Sequence, residues 1–128
     1  MRLDILCLLS AAAFLPGCSA KEKPVAALEI GALPVMERVA LGANRCWFKS
    51  RDPAFTAYRL APELKSFTGT PRILVVKKNA PESLPLLVVQ AQGSPARLAA
   101  FGPLMQDAAI SARVNKDVSH WARGGKDC

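Results

Sequence analysis

From residue 34 onward the apolar positions fall into two kinds of spacing. Met36, Val39, Ala40, Ala43, Cys46 and Trp47 lie at i, i+3, i+4, i+7, i+10 and i+11, with Glu37, Arg38, Asn44 and Arg45 on the other side. That period belongs to an amphipathic helix, and it predicts one over 34–49 with Pro34 in its first turn. Gly42 inside it costs about 1 kcal/mol relative to Ala. Ser50-Arg51-Asp52-Pro53 ends it, because a residue before proline is pushed out of the helical region.

Beyond this point proline recurs at 53, 62, 71, 81, 85, 95 and 103, and the apolar runs between them are too short for helices. RILVVKK at 72–78 and LLVVQAQ at 86–92 read as strands, with KNAPESLP supplying the connection. Weaker strands are expected near 57–61, 64–68 and 96–102. Short successive connections favour an antiparallel meander. Ile110, Val114, Val118, Trp121 and Ala122 then share a helical face, with Asp107 as N-cap and Gly124-Gly125 as a stop. An alternative starts that helix at Asn115 and makes 109–114 one more strand. Either way two apolar helical stripes need a sheet to cover, and the expected fold is α+β in two layers: N-terminal helix, antiparallel meander of about four strands, C-terminal helix.

The segment before residue 34 is of another kind. ILCLLSAAAFL, residues 5–15, is an apolar run of the length of a secretory h-region, short of the 18 to 20 residues that roughly define a membrane span. It is followed by Leu15-Pro16-Gly17-Cys18, which resembles the lipobox of bacterial lipoproteins: an aliphatic residue at −3, a small one at −1, then the cysteine. Pro16 stands where Ala or Ser is commonest. The resemblance implies a diacylglycerol thioether on Cys18, a leader over 1–17, a tether over 18–33 and one domain over 34–128. More than one acyl chain holds a protein stably on a membrane. Ser19 after the cysteine implies sorting to the outer membrane, facing the periplasm. Ordinary cleavage after Ala20, giving a soluble periplasmic protein, is the alternative.

With Cys7 in the leader and Cys18 lipidated, Cys46 and Cys128 remain, and an oxidising compartment predicts a disulfide between them. RCWFKSRDPAF, residues 45–55, is similar to segments of small exported proteins of Gram-negative bacteria, a likeness that carries no activity with it.

Charge narrows the partners. The chain carries 17 Lys and Arg against 10 Asp and Glu, a net +7 that loss of residues 1–17 leaves unchanged. Export makes nucleic acid an unsuitable partner, and anionic lipid, lipopolysaccharide or an acidic envelope protein fits instead. A Cys46–Cys128 bridge would gather Arg45, Lys49, Arg51, Arg123 and Lys126 into a basic patch.

Catalytic motifs are missing. The single histidine, His120, stands among Arg113, Lys116, Asp117 and Arg123 on a polar helical face and reads as a solvated surface residue. Glu63 and Glu82 sit beside prolines in expected turns, and no nucleophile elbow, zinc-binding or phosphate-loop pattern occurs. Trp47 and Trp121 lie on inward stripes and read as core. The expectation is a non-enzymatic binding or accessory module without cofactor or metal. An inhibitor or regulatory subunit of an envelope enzyme is the alternative.

Overall fold

The computed structural model describes residues 30–65, 67 and 69–128. Cys18 and the leader lie outside the described residues. The element order is helix, four strands, helix, as the periodicity implies.

The first helix, α1 (Ala32–Ala43), begins two residues before the expected start. Its entry is fixed by the sheet: Ala32 N–H donates to Gly93 O at 3.0 Å, and Ala96 N–H donates to Ile30 O at 3.0 Å. Residues 30–33, ahead of the expected helix start, are thus tied to the loop between β3 and β4. From Asn44 to Lys49 the helix widens into a π turn, in which Ser50 N–H reaches back five residues to Arg45 O at 3.2 Å. Ser50 Oγ also donates to Cys46 O at 2.6 Å, holding the carbonyl that the wide turn frees. A short 3₁₀ turn, Pro53–Phe55, follows, its N-cap Asp52 accepting from Ala54 N–H at 2.9 Å.

Strands β1 (Tyr58–Glu63), β2 (Arg72–Lys77), β3 (Leu87–Gln92) and β4 (Arg97–Phe101) form an antiparallel sheet in the order β1-β2-β3-β4. The strand expected near 57–61 is β1, and the described residues of the one expected near 64–68, Leu64, Lys65 and Phe67, lie in turns and not in a strand. Pro62 did not end the strand because β1 is an edge, where a missing N–H leaves no ladder bond unmade. Glu63 is accordingly a strand residue directly opposite Arg72, whose Nε lies 2.5 Å from its carboxylate.

A 3₁₀ turn, Pro103–Gln106, leads to α2 (Ala108–Ala122). Asp107 is its N-cap, accepting from Ile110 N–H at 3.0 Å, which settles the start in favour of the earlier reading; residues 109–114 are helical. The C-terminus closes in a Schellman turn. Gly125 N–H donates to His120 O at 3.0 Å and Gly124 N–H to Trp121 O at 2.9 Å, with Gly124 at φ +93° as the left-handed residue that geometry requires.

Alternation puts Ile73, Val75, Leu87, Val89 and Ala91 on the sheet face under the helices, in register across the β2–β3 pair. Onto them α1 presents Val35, Met36, Val39 and Ala43, and α2 presents Val114, Val118 and Trp121. Among the described residues, every buried core residue lies between Val35 and Ala122. Trp47 and Trp121, buried as expected, meet edge to face at 5.1 Å, and Trp47 stacks on Phe55 at 4.6 Å. Close approach of the helices depends on Gly42: a Cβ there would lie 2.2 Å from the Trp121 ring.

The buried indoles keep their N–H groups satisfied. Trp47 Nε1 donates to Asp117 Oδ2 at 2.8 Å, and Trp121 Nε1 donates to Asp127 O at 3.3 Å. Arg113 links Asp117, at 3.4 Å, to Asp52, with which it is ion-paired, and its guanidinium lies 5.6 Å from the centre of the Phe55 ring. That network ties the 52–55 turn to α2.

Candidate anion-binding groove beside the disulfide

Cys46 in the π turn and Cys128 at the chain end form a disulfide, with Cα atoms 5.5 Å apart across 82 residues of sequence. The covalent link lays the tail 124–128 against the end of α2 and the flank of α1. His120 Nε2–H donates to Asp127 Oδ1 at 2.6 Å, so the histidine is only half solvated and holds the tail in place. Gly125 fits against the His120 ring so closely that a Cβ would lie 2.2 Å from it. The hydrogen bond from His120 holds the Asp127 carboxyl below its usual value, and the charge of Arg45 adds to the effect.

Between tail and helix runs a groove of about 330 Å³. Trp121 forms its floor, Gly124 and Gly125 one wall, and Arg38, Arg45 and Lys126 stand along its edges. Arg38 also donates through Nη1 to Ala122 O at 3.1 Å, satisfying a carbonyl at the C-terminus of α2, where a cation is favoured by the helix dipole. Its remaining N–H groups, with the Arg45 fork and the Lys126 ammonium, offer charge-assisted donors suited to a phosphate or carboxylate.

Of the five cations expected to gather at the bridge, the disulfide brings Arg45 and Lys126 together in this groove. Lys49 and Arg123 are exposed and do not line it. Arg51 turns to the opposite flank of α1, where it stands with Arg59 and Lys78. Its backbone explains the divergence: Arg51 has φ +57°, a left-handed conformation that reverses the chain directly after the π turn. Arg38 was not expected in the patch, although its seven-residue spacing from Arg45 already places both on one helical face.

Among the described residues no group of three His, Cys, Asp or Glu is placed to hold a metal ion, and no helix is long and apolar enough to cross a membrane. Comparison with known proteins adds no identity: no family model, curated protein or solved structure matches the chain.

Proposed function

We propose that this protein is an envelope lipoprotein, anchored through Cys18 and facing the periplasm from the outer membrane, that works as a non-enzymatic accessory module by binding anionic groups. The observation that carries the reading is the convergence of Arg38, Arg45 and Lys126 around the Trp121 floor of the disulfide groove. The lipobox-like Leu15-Pro16-Gly17-Cys18 supports the anchor. The Cys46–Cys128 bridge suits an oxidising compartment.

An anchor and a cationic groove act together on one surface. The lipid confines the domain near headgroups, so weak contacts with phosphate suffice to orient it. Cations near an anionic surface contribute about 1 kcal/mol each, and salt screens them beyond about 8 to 10 Å.

The test is co-sedimentation of residues 19–128 with anionic and neutral vesicles and with lipopolysaccharide, at low and physiological salt. Arg45→Ala with Lys126→Ala should weaken anionic binding by about 10- to 30-fold at low salt, from the per-cation contribution. Binding equal to the wild type would remove the groove from the function. Mass spectrometry of the mature N-terminus decides the anchor: an acylated Cys18 is expected, and an unmodified terminus at Lys21 makes the protein soluble.

A further inference from the structure

A second feature lies on the other flank of α1. Two hollows run along the helix against the edge strand β1, one of about 530 Å³ and one of about 430 Å³, and Asn44 and Leu60 border both. They form one trough. The order of residues along it agrees: Glu37 in α1 stands at the end with Leu64, just past β1, and Arg51, beyond the π turn, at the end with Tyr58, the stretch from Tyr58 to Leu64 covering about 20 Å at strand rise.

The two halves differ in chemistry. One is walled by Ala40, Leu41, Leu60, Pro62 and Leu64, with Glu37 its only charged border among the described residues. Leu41 is 66% exposed there, an apolar side chain that the described residues leave uncovered. The other half is bordered by Arg51, Arg59 and Lys78, with Phe48, Tyr58 and Thr56 between them. Asp52 reaches that half too, but its carboxylate is already engaged by Arg113 and by Ala54 N–H. Among the described residues no acid forms an ion pair with Arg51, Arg59 or Lys78.

The backbone at the cationic end is also unusual. The π turn and the left-handed Arg51 adjoin each other, and both are costly forms that cluster at binding sites when the surroundings hold them. Arg51 N–H donates to Phe48 O at 3.0 Å, fixing the turn that aims its side chain into the trough.

We infer that the trough binds one single-chain anionic amphiphile, its hydrocarbon chain along Leu41, Leu60 and Leu64 and its phosphate or carboxylate head among Arg51, Arg59 and Lys78. Glu37 at the far end fixes the direction, because it repels an anionic head there. An uncharged apolar guest would leave the three cations unused, and a short polar anion would leave the exposed Leu41 wall uncovered. Only a ligand with both parts matches both halves. The head site shares no residue with the disulfide groove, which meets the trough only at Leu41, so the cation variants at the two sites test the two assignments independently.

The test titrates residues 19–128 with octyl, decyl and dodecyl phosphate below their micelle concentrations, using calorimetry. Each added methylene should tighten binding about fourfold until the apolar half is filled. A dodecyl glycoside of no charge should bind at least tenfold more weakly than dodecyl phosphate. Arg51→Gly with Arg59→Ala should abolish the preference for the anion while keeping the chain-length dependence, and Arg51→Gly alone should be no less stable, because glycine accepts the left-handed turn. Leu41→Asp should flatten the chain-length dependence. Affinity independent of chain length, or undiminished in the Arg51 and Arg59 variant, overturns the inference. So does loss of alkyl phosphate binding in the Arg45→Ala, Lys126→Ala protein, which would place the ligand in the disulfide groove.

Discussion

Gly42 offers the sharpest check on how the two helices meet. Helix propensity alone says that Gly42→Ala stabilises the domain by about 1 kcal/mol, since glycine is the poorest helix former after proline. The packing says the reverse. A Cβ at 42 would fall 2.2 Å from Cδ2 and 2.4 Å from Cγ of Trp121, well inside contact distance. The indole cannot simply step back: Trp47 lies behind it at 5.1 Å, its own Nε1–H is committed to Asp127 O, and it is 1% exposed. Overpacking of this kind costs about 1–3 kcal/mol, and a rigid, backed ring places this case at the upper end. After the propensity gain is subtracted, about 2 kcal/mol of net loss remains, which for a domain of this size lowers Tm by about 8–16 °C. Thermal unfolding of the oxidised protein measures it. Trp121→Leu in the same chain should absorb much of the added methyl's cost, giving a coupling above about 1 kcal/mol in the double-mutant cycle. A Gly42→Ala protein as stable as the wild type, or more so, would mean that the helices do not approach this closely.

Two further outcomes follow from the tail and the Asp52–Arg113 ion pair. Cys46→Ala with Cys128→Ala removes a bridge across 82 residues, for which the chain-entropy model gives about 4.5 kcal/mol; a loss of at least about 2 kcal/mol in denaturant unfolding is expected, and none would mean the bridge is absent or redundant. Arg113 holds the Asp52 carboxyl below its ordinary 3.8, with the Ala54 N–H helping and partial burial opposing, so this pair's contribution is present above the unfolded value and lost as pH falls through the lower folded one. Asp52→Asn should therefore be less stable than the wild type at neutral pH and approach it from about pH 5 downward, whereas a gap unchanged at about pH 2.5 would show that the ion pair contributes nothing.

What could be read in the sequence is what repeats. The stripe Met36 to Trp47 and the stripe Ile110 to Ala122 are each set by side-chain period, and the apolar faces they imply are buried against alternating residues of β2 and β3. Asp107 as cap and Gly124-Gly125 as stop were legible for the same reason: each supplies a local hydrogen bond or dihedral that few residues can. Where the reading failed, tertiary context decided. Pro62 signals a turn in isolation, and only its place on an edge strand makes it harmless. Gly42 looked like a flaw in a helix until Trp121 arrived from a segment 79 positions away. The cationic site suffered most. Proximity to the cysteines placed Arg45 and Lys126 together, but the π turn and the φ of Arg51 send the neighbouring cation to the far side of α1, and neither departure carries a periodic signal.

Those two backbone departures make one helix serve two surfaces. An unbroken α-helix through residue 51 would set Arg51 about 120° round the axis from Arg45, at a position fixed by the helical period alone. The wide turn instead keeps Cys46 and Trp47 inward, where they anchor the bridge and the core, while the reversal at Arg51 hands a cation to the trough along β1. Leu41 stands on the ridge between and borders both the disulfide groove and the apolar half of the trough. Under the proposed anchoring, an exposed leucine flanked by Arg38 and Arg45 on one side and by an apolar channel on the other would set cations against headgroups and the ridge against hydrocarbon. Groove and trough therefore meet along α1, the element that the Gly42–Trp121 contact presses against α2 and that runs directly into the turn held by the Cys46 bridge.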